Sequence, residues 1–254
     1  MPKAIELMRK REDEILEVVK YLAKVTRGFT SPKLILIGGY ALRAFIRSSR
    51  YTRDCDFILK KRNGWHLDFL REFLPKDWNI ENFEKRHGYG FMRWLKYIPY
   101  NKTKIRVSID FMEGEIRGRE EHDIVLIDDK MINQARRVQI IIGDEKIEVF
   151  VPDFQDYLIM KFISCRASDI RDIASLIFEN GVPVKIKQRI QEVVPRPEIF
   201  YKKLKGKVIP EIKRKTFLDS WKGIMATTEY TEGDVRIVLE KLENLSKLLN
   251  LEKA

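Results

Sequence analysis

Apolar residues recur at helical spacing over residues 4–25, at Ile5, Met8, Ile15, Leu16, Val19, Leu22 and Ala23, with Glu, Lys and Arg between them. That pattern predicts an amphipathic helix laid against a sheet. Gly28 to Pro32 breaks it, and residues 34–37 are a short apolar run of the kind that forms a buried strand. Residues 40–47 read as helix, with Ala41, Leu42, Phe45 and Ile46 available for an inward face. Residues 54–59 read as a second strand, and residues 65–74 as a helix stopped by Pro75. Residues 105–112 alternate: Ile105, Val107, Ile109 and Phe111 share one face, and Arg106, Ser108 and Asp110 the other. Residues 124–127 are a further strand, and residues 138–142 and 146–151 form a hairpin about Gly143-Asp144-Glu145.

From residue 153 to 178 the period turns helical, and Gly181-Val182-Pro183 ends that stretch. Thr231-Glu232-Gly233-Asp234 has the form of a capping box, followed by a stripe of Val235, Val238, Leu242, Leu245 and Leu248 that predicts a docking helix. The order of elements predicts an α+β fold: a mixed sheet with flanking helices over residues 1–150, then a helical region over 151–254.

Composition narrows the class. The chain has 254 residues, 44% hydrophobic and 34% charged, which describes a folded protein with a full core. The charged share suits the surface ion-pair networks of a thermophile. Two cysteines without a C-x-x-C, and three scattered histidines, give no disulfide framework and no zinc spacing, and fit a reducing cytosol. No apolar run approaches the ~20 residues of a membrane span. No Walker-type phosphate loop is present. The formal net charge of +11 fits either a well-solvated surface or a phosphate-rich partner such as RNA. Residues 185–215 are rich in Lys and Arg, a solvated face or an RNA-facing one. Residues 89–98 interleave aromatic and basic side chains. They read as an ordinary strand, with Trp94 and Tyr97 the candidates if a base stacks there.

The chemistry concentrates in residues 34–59. Gly38 and Gly39 follow the first strand directly, so the backbone can turn sharply and bring amides close to an anion. After a linker of 14 residues, Asp54 and Asp56 open the second strand on one face, with Cys55 on the other. Each piece alone also fits a plain turn or a solvated strand edge. Together, two carboxylates beside a glycine phosphate seat suggest a divalent metal next to a nucleoside triphosphate. Asp110 is a single carboxylate in an otherwise apolar strand, which burial disfavours unless it is paired or binds metal.

This stretch resembles the signature of the nucleotidyltransferase superfamily related to DNA polymerase β. Gly-Gly-Tyr-Ala-Leu, then Thr52-Arg53-Asp54-Cys55-Asp56, is most similar to its AbiEii/AbiGii toxin branch. The resemblance implies a polymerase-β-like core that moves a nucleoside monophosphate from an NTP to an acceptor hydroxyl with Mg²⁺ or Mn²⁺. It implies Gly38 and Gly39 at the triphosphate, and Asp54, Asp56 and Asp110 at the metal, with Glu113 and Glu115 as substitutes for Asp110 if the strand register slips. Pro152, Lys161, Arg166 and Arg171-Asp172 look like the toxin-type helical motif, which implies Lys161 against triphosphate charge and Asp172, or Asp169 in its place, orienting it. The implied acceptor is RNA, for instance tRNA, or a protein, and the implied partner a cognate antitoxin. A small-molecule acceptor, as in the aminoglycoside nucleotidyltransferases, and a non-catalytic nucleic-acid-binding module are the competing readings.

Overall fold

A computed structural model describes residues 3–48 and 50–250. The chain divides into two compact units. Unit 1 comprises Met1–Ala44, Tyr51–Ile116 and Ile127–Pro152; unit 2 comprises Phe45–Arg50, Arg117–Leu126 and Asp153–Ala254.

Unit 1 begins with helix α1 (Lys3–Val25), whose Ile15, Leu16, Val19 and Leu22 are buried as their spacing predicts. Strand β1 (Ile35–Ile37) leads into a single helical turn, α2 (Gly38–Ala41), which tightens into a 3₁₀ turn over Leu42–Ala44. The helix expected over residues 40–47 is therefore shorter and starts earlier. Its apolar residues are buried as expected, but the chain leaves unit 1 after Ala44, and Phe45 stacks on Tyr157 of unit 2 at 4.7 Å. Tertiary packing here overrides the local period.

Strand β2 (Asp54–Leu59) and helix α3 (His66–Glu72) follow, then strands β3 (Asn79–Arg86), β4 (Tyr89–Tyr100) and β5 (Thr103–Glu113). The five strands form one sheet in the order β1-β2-β5-β4-β3. All neighbours are antiparallel except β2 and β5, which are parallel, so the sheet is mixed as predicted. Helix α1 packs on β5. Trp94 is fully buried, edge-on to Phe111 at 4.9 Å, so it belongs to the core and offers no surface for a base; Tyr97 stays 53% exposed. Glu113 is also fully buried, sharing the Ile109 and Phe111 face, away from Asp110. It accepts the backbone N–H groups of His66 at 3.0 Å and Leu67 at 3.1 Å, capping α3 and satisfying donors that lack helical partners. Short strands β6 (Glu115–Arg117) and β7 (Ile124–Leu126) and helix α4 (Asp129–Gln134) precede the predicted hairpin, β8 (Arg136–Ile142) with β9 (Glu145–Val151).

Unit 2 is helical. The stretch expected as one helix is two, α5 (Phe154–Ser164) and α6 (Ala167–Asn180), separated by Cys165 in the left-handed conformation (φ 47°). Asp169 caps the new start, accepting the Arg166 N–H at 3.0 Å. Helices α7 (Ile186–Val193), α8 (Pro197–Lys203), α9 (Ile209–Ile212), α10 (Phe217–Met225) and α11 (Glu232–Asn250) complete it, with a π turn over Leu204–Val208. The capping box forms as predicted: Thr231 N–H donates to Asp234 at 2.8 Å and Asp234 N–H to the Thr231 hydroxyl at 3.3 Å. Val235, Val238, Leu242 and Leu245 of α11 are buried, and the helix packs on α6. Among the described residues no helix is long and apolar enough to cross a membrane.

Candidate active site

The site grows from the register of three strands. Ile37 on β1 lies opposite Asp56 on β2, and Asp56 lies opposite Asp110 on β5. Asp54 lies opposite Ser108. Paired residues on neighbouring strands point to the same side, so Asp54, Asp56, Ser108 and Asp110 occupy one face. Asp54 is exposed, Asp56 half-buried and Asp110 only 7% exposed. The Ser108 hydroxyl donates to the Asp54 carboxylate at 2.6 Å and fixes its direction.

The glycine turn is fitted against this face. Gly38 has φ +67°, a left-handed conformation that glycine adopts without penalty. A Cβ placed on it would lie 2.1 Å from an Asp56 oxygen, and one on Gly39 would lie 2.5 Å from the Thr52 hydroxyl. Any side chain at Gly38 would displace the Asp56 carboxylate. Gly38 and Asp56 are thus packed as one object, with Gly39 packed on Thr52. A helix-opening turn of glycine amides set against two carboxylates suits a phosphate group bridged to them by a cation.

Asp110 carries a constraint that the sequence did not show. Arg93 on β4 lies opposite it, and its Nε and a terminal nitrogen donate to the two carboxylate oxygens at 2.6 Å each. Burial pushes the Asp110 carboxyl above the ordinary carboxylate range; Arg93 opposes that shift and the Asp54 charge adds to it. The bond to Asp110 holds Arg93 firmly charged. Among the described residues no group of three or more His, Cys, Asp or Glu side chains is placed to hold a metal ion. Asp54 and Asp56 alone still fit a small hard cation, because Mg²⁺ is commonly held by one or two carboxylates plus substrate phosphates. Behind the turn, Arg43 is tied to Glu12 and to the Ile141 carbonyl (2.6 Å), and lies over the Tyr40 ring at 4.8 Å.

The helical motif residues form a cluster inside unit 2. Lys161 is almost fully buried and donates to Asp169 at 3.0 Å and to Asp172 at 2.8 Å. The structure therefore gives both aspartates to the lysine. Asp172 also accepts two bonds from Arg50, at 2.8 and 3.1 Å. Burial alone would discharge Lys161, but Asp172, then Tyr157 and Asp169, outweigh it and raise its pKa. Asp169 is likewise disfavoured by burial, yet Lys161 pulls its pKa below the ordinary range. Arg166 contributes its backbone to the α6 cap, and Arg171 turns elsewhere, to Glu211 at 2.7 Å and Ser220.

Sequence reasoning missed Arg93, Ser108 as a partner of Asp54, and Arg50. Each was visible as a residue type, but its role depends on strand pairing or on a contact more than a hundred residues away in sequence, which no local spacing reveals.

The family described as "Nucleotidyl transferase AbiEii toxin, Type IV TA system" matches residues 20–176. No curated protein matches the chain. Two Helicobacter pylori crystal structures are similar in fold at 12% identity. One, provisionally described as a nucleotidyltransferase, aligns over 93% of this chain and 96% of its own with a TM-score of 0.44. The other, JHP933, aligns over 94% and 95% with a TM-score of 0.45.

Proposed function

We propose, from the premise that this chain belongs to the AbiEii family of nucleotidyltransferase toxins, that it moves a nucleoside monophosphate from an NTP to a hydroxyl of RNA, using Mg²⁺ or Mn²⁺ held by Asp54 and Asp56. The observation that carries this reading is the 2.1 Å approach of a Gly38 Cβ position to Asp56. The turn and the Asp56 carboxylate can lie this close only because Gly38 has no Cβ. In this reading the Gly38-Gly39 turn seats the triphosphate, and Ser108 keeps Asp54 aimed outward. The cation, when bound, supplies charge neutralisation for the attacking and leaving oxygens. The acceptor oxygen bonds to the α-phosphorus as the bridge to the β-phosphate breaks, and pyrophosphate departs.

Lys161 enters this reading as a positioning residue. Both of its bonds are made to Asp169 and Asp172, so it fixes α5 to α6 and, through Asp172, Arg50. The acceptor class rests on charge: the net +11, and eleven Lys and Arg against three Glu from Lys185 to Lys215, among them the exposed Lys202, Lys205 and Lys215. The family is the toxin of a type IV toxin–antitoxin system, and an antitoxin partner belongs to the same proposal.

The test is transfer of label. Each of four α-labelled NTPs is incubated with the protein, total RNA and Mg²⁺ or Mn²⁺, beside an Asp54→Ala/Asp56→Ala control. Label entering RNA only with the aspartates intact supports the proposal. Label on protein, or on added aminoglycoside alone, would replace the acceptor, and absence of transfer with either metal would refute the proposal.

A further inference from the structure

Asp56, Asp110 and Arg93 stand side by side across β2, β5 and β4. Arg93 engages both oxygens of Asp110 at 2.6 Å, the fork-to-fork geometry in which a guanidinium binds a carboxylate most strongly. It thereby occupies the one carboxylate that would complete a three-aspartate set. Arg93, with Arg106 further along the same face of β5, limits repulsion among the carboxylates. Arg93 also has somewhere else to turn. Glu81 lies 3.5 Å from its other terminal nitrogen, at the β-bulge between Ile80 and Asn82, and is itself bonded to Arg106 at 2.5 Å. The Arg93 side chain keeps 30% of its surface open to solvent, which leaves it a path off Asp110.

We propose that Arg93 is a displaceable counter-cation: it pairs with Asp110, and on NTP loading it leaves Asp110 for a phosphate of the incoming nucleotide. The same planar fork that fits a carboxylate fits a phosphate, so the exchange replaces one bidentate partner by another. Two carboxylates then suffice to admit the cation, and the third becomes available as the guanidinium leaves. This rests on the metal-dependent reading of the site given above.

The test follows Arg93 directly in the wild-type protein. Its Nε–H resonance, identified by its loss in Arg93→Lys, is recorded by ¹⁵N NMR during titration with Mg²⁺ and then with the α,β-methylene analogues of ATP, GTP, CTP and UTP in turn. The expected result is a shift away from the carboxylate-bonded position with Mg²⁺ and a second shift with at least one analogue. In parallel, Mn²⁺ binding measured by electron paramagnetic resonance should tighten at least tenfold in Arg93→Met, and the gain should vanish in Arg93→Met/Asp110→Asn. An unmoved Arg93 resonance under saturating Mg²⁺ and all four analogues overturns the proposal, as does a gain that persists without Asp110. Mn²⁺ binding beside an unmoved Arg93 removes only this role. Failure of Mn²⁺ to bind the wild type with any analogue removes the metal-dependent reading as well. If Arg93→Met does not fold, the wild-type resonance decides by itself.

Discussion

In unit 2, Asp169 and Asp172 close around Lys161 and Arg50, out of water and largely neutral as a group. In unit 1, Asp54 is exposed and bonded to the Ser108 hydroxyl, and Asp56 is half-buried with Gly38 packed against it. Both arrangements are built from the same residue types at motif spacing. The difference lies in exposure: the unit 2 charges are enclosed, whereas solvent reaches Asp54. Buried charges that satisfy one another hold elements together. A carboxylate that solvent reaches, as Asp54 is, can also be reached by a ligand.

The largest test of that contrast is to break the closed cluster. Lys161→Met leaves two buried carboxylates with Arg50 as the remaining cation, and unfolding in urea should show a loss of about 3–5 kcal/mol. An unchanged midpoint would mean that the lysine's charge is not structural. The open pair should behave in the opposite way. Asp56→Asn should lower transfer at least about a hundredfold, while the folding free energy stays within about 0.5 kcal/mol. A large fall in melting temperature with activity retained would exchange the roles assigned to the two regions.

Gly38→Ala should affect both quantities at once. The left-handed backbone costs an alanine about 1–2 kcal/mol, and its Cβ must push the Asp56 carboxylate aside, so stability and transfer should fall together. Transfer at the wild-type rate in a folded Gly38→Ala protein would separate the turn from the carboxylates. The smallest effect is in acid. Asp169 has its pKa below the ordinary carboxylate value of about 3.8 in the folded state, so just below that pH the unfolded chain binds more protons. Stability contributed by Asp169 is present above about pH 4 and is lost as the pH falls towards the folded-state value. Asp169→Asn should flatten that part of the stability profile, and a slope equal to the wild type's would exclude it as the source.

Much of unit 1 was legible because its physics is local. The alternation of residues 105–112 puts Asp110 on one face and Phe111 on the other whatever its neighbours are, and the glycine pair followed by Asp54 and Asp56 carries its geometry in the spacing. The pairing of β2 with β5, which brings Asp110 beside Asp56, is not local, and the sequence supplied it only through resemblance. Arg93 shows the limit most clearly. As a residue among aromatics it looked like an ordinary strand cation; opposite Asp110 it is part of the site. The helix break at Cys165 was hidden for a different reason. The apolar period runs across it almost without a phase change, and the left-handed residue that stops α5 is a cysteine rather than a glycine.

The segment Phe45–Arg50 lies in sequence between the two halves of the glycine–aspartate signature, yet it belongs to the helical unit, as does Arg117–Leu126. No single scission of the chain therefore separates the units. A fragment ending at Pro152 carries Phe45 away from the Tyr157 ring it stacks on, and Arg50 away from Asp172. The same holds for genetic exchange. A recombination event that swaps the C-terminal half between two such toxins keeps its packing only if residues 45–50 and 117–126 match the newcomer. The signature stretch and the helical unit are thus tied together through a segment that lies inside the signature itself.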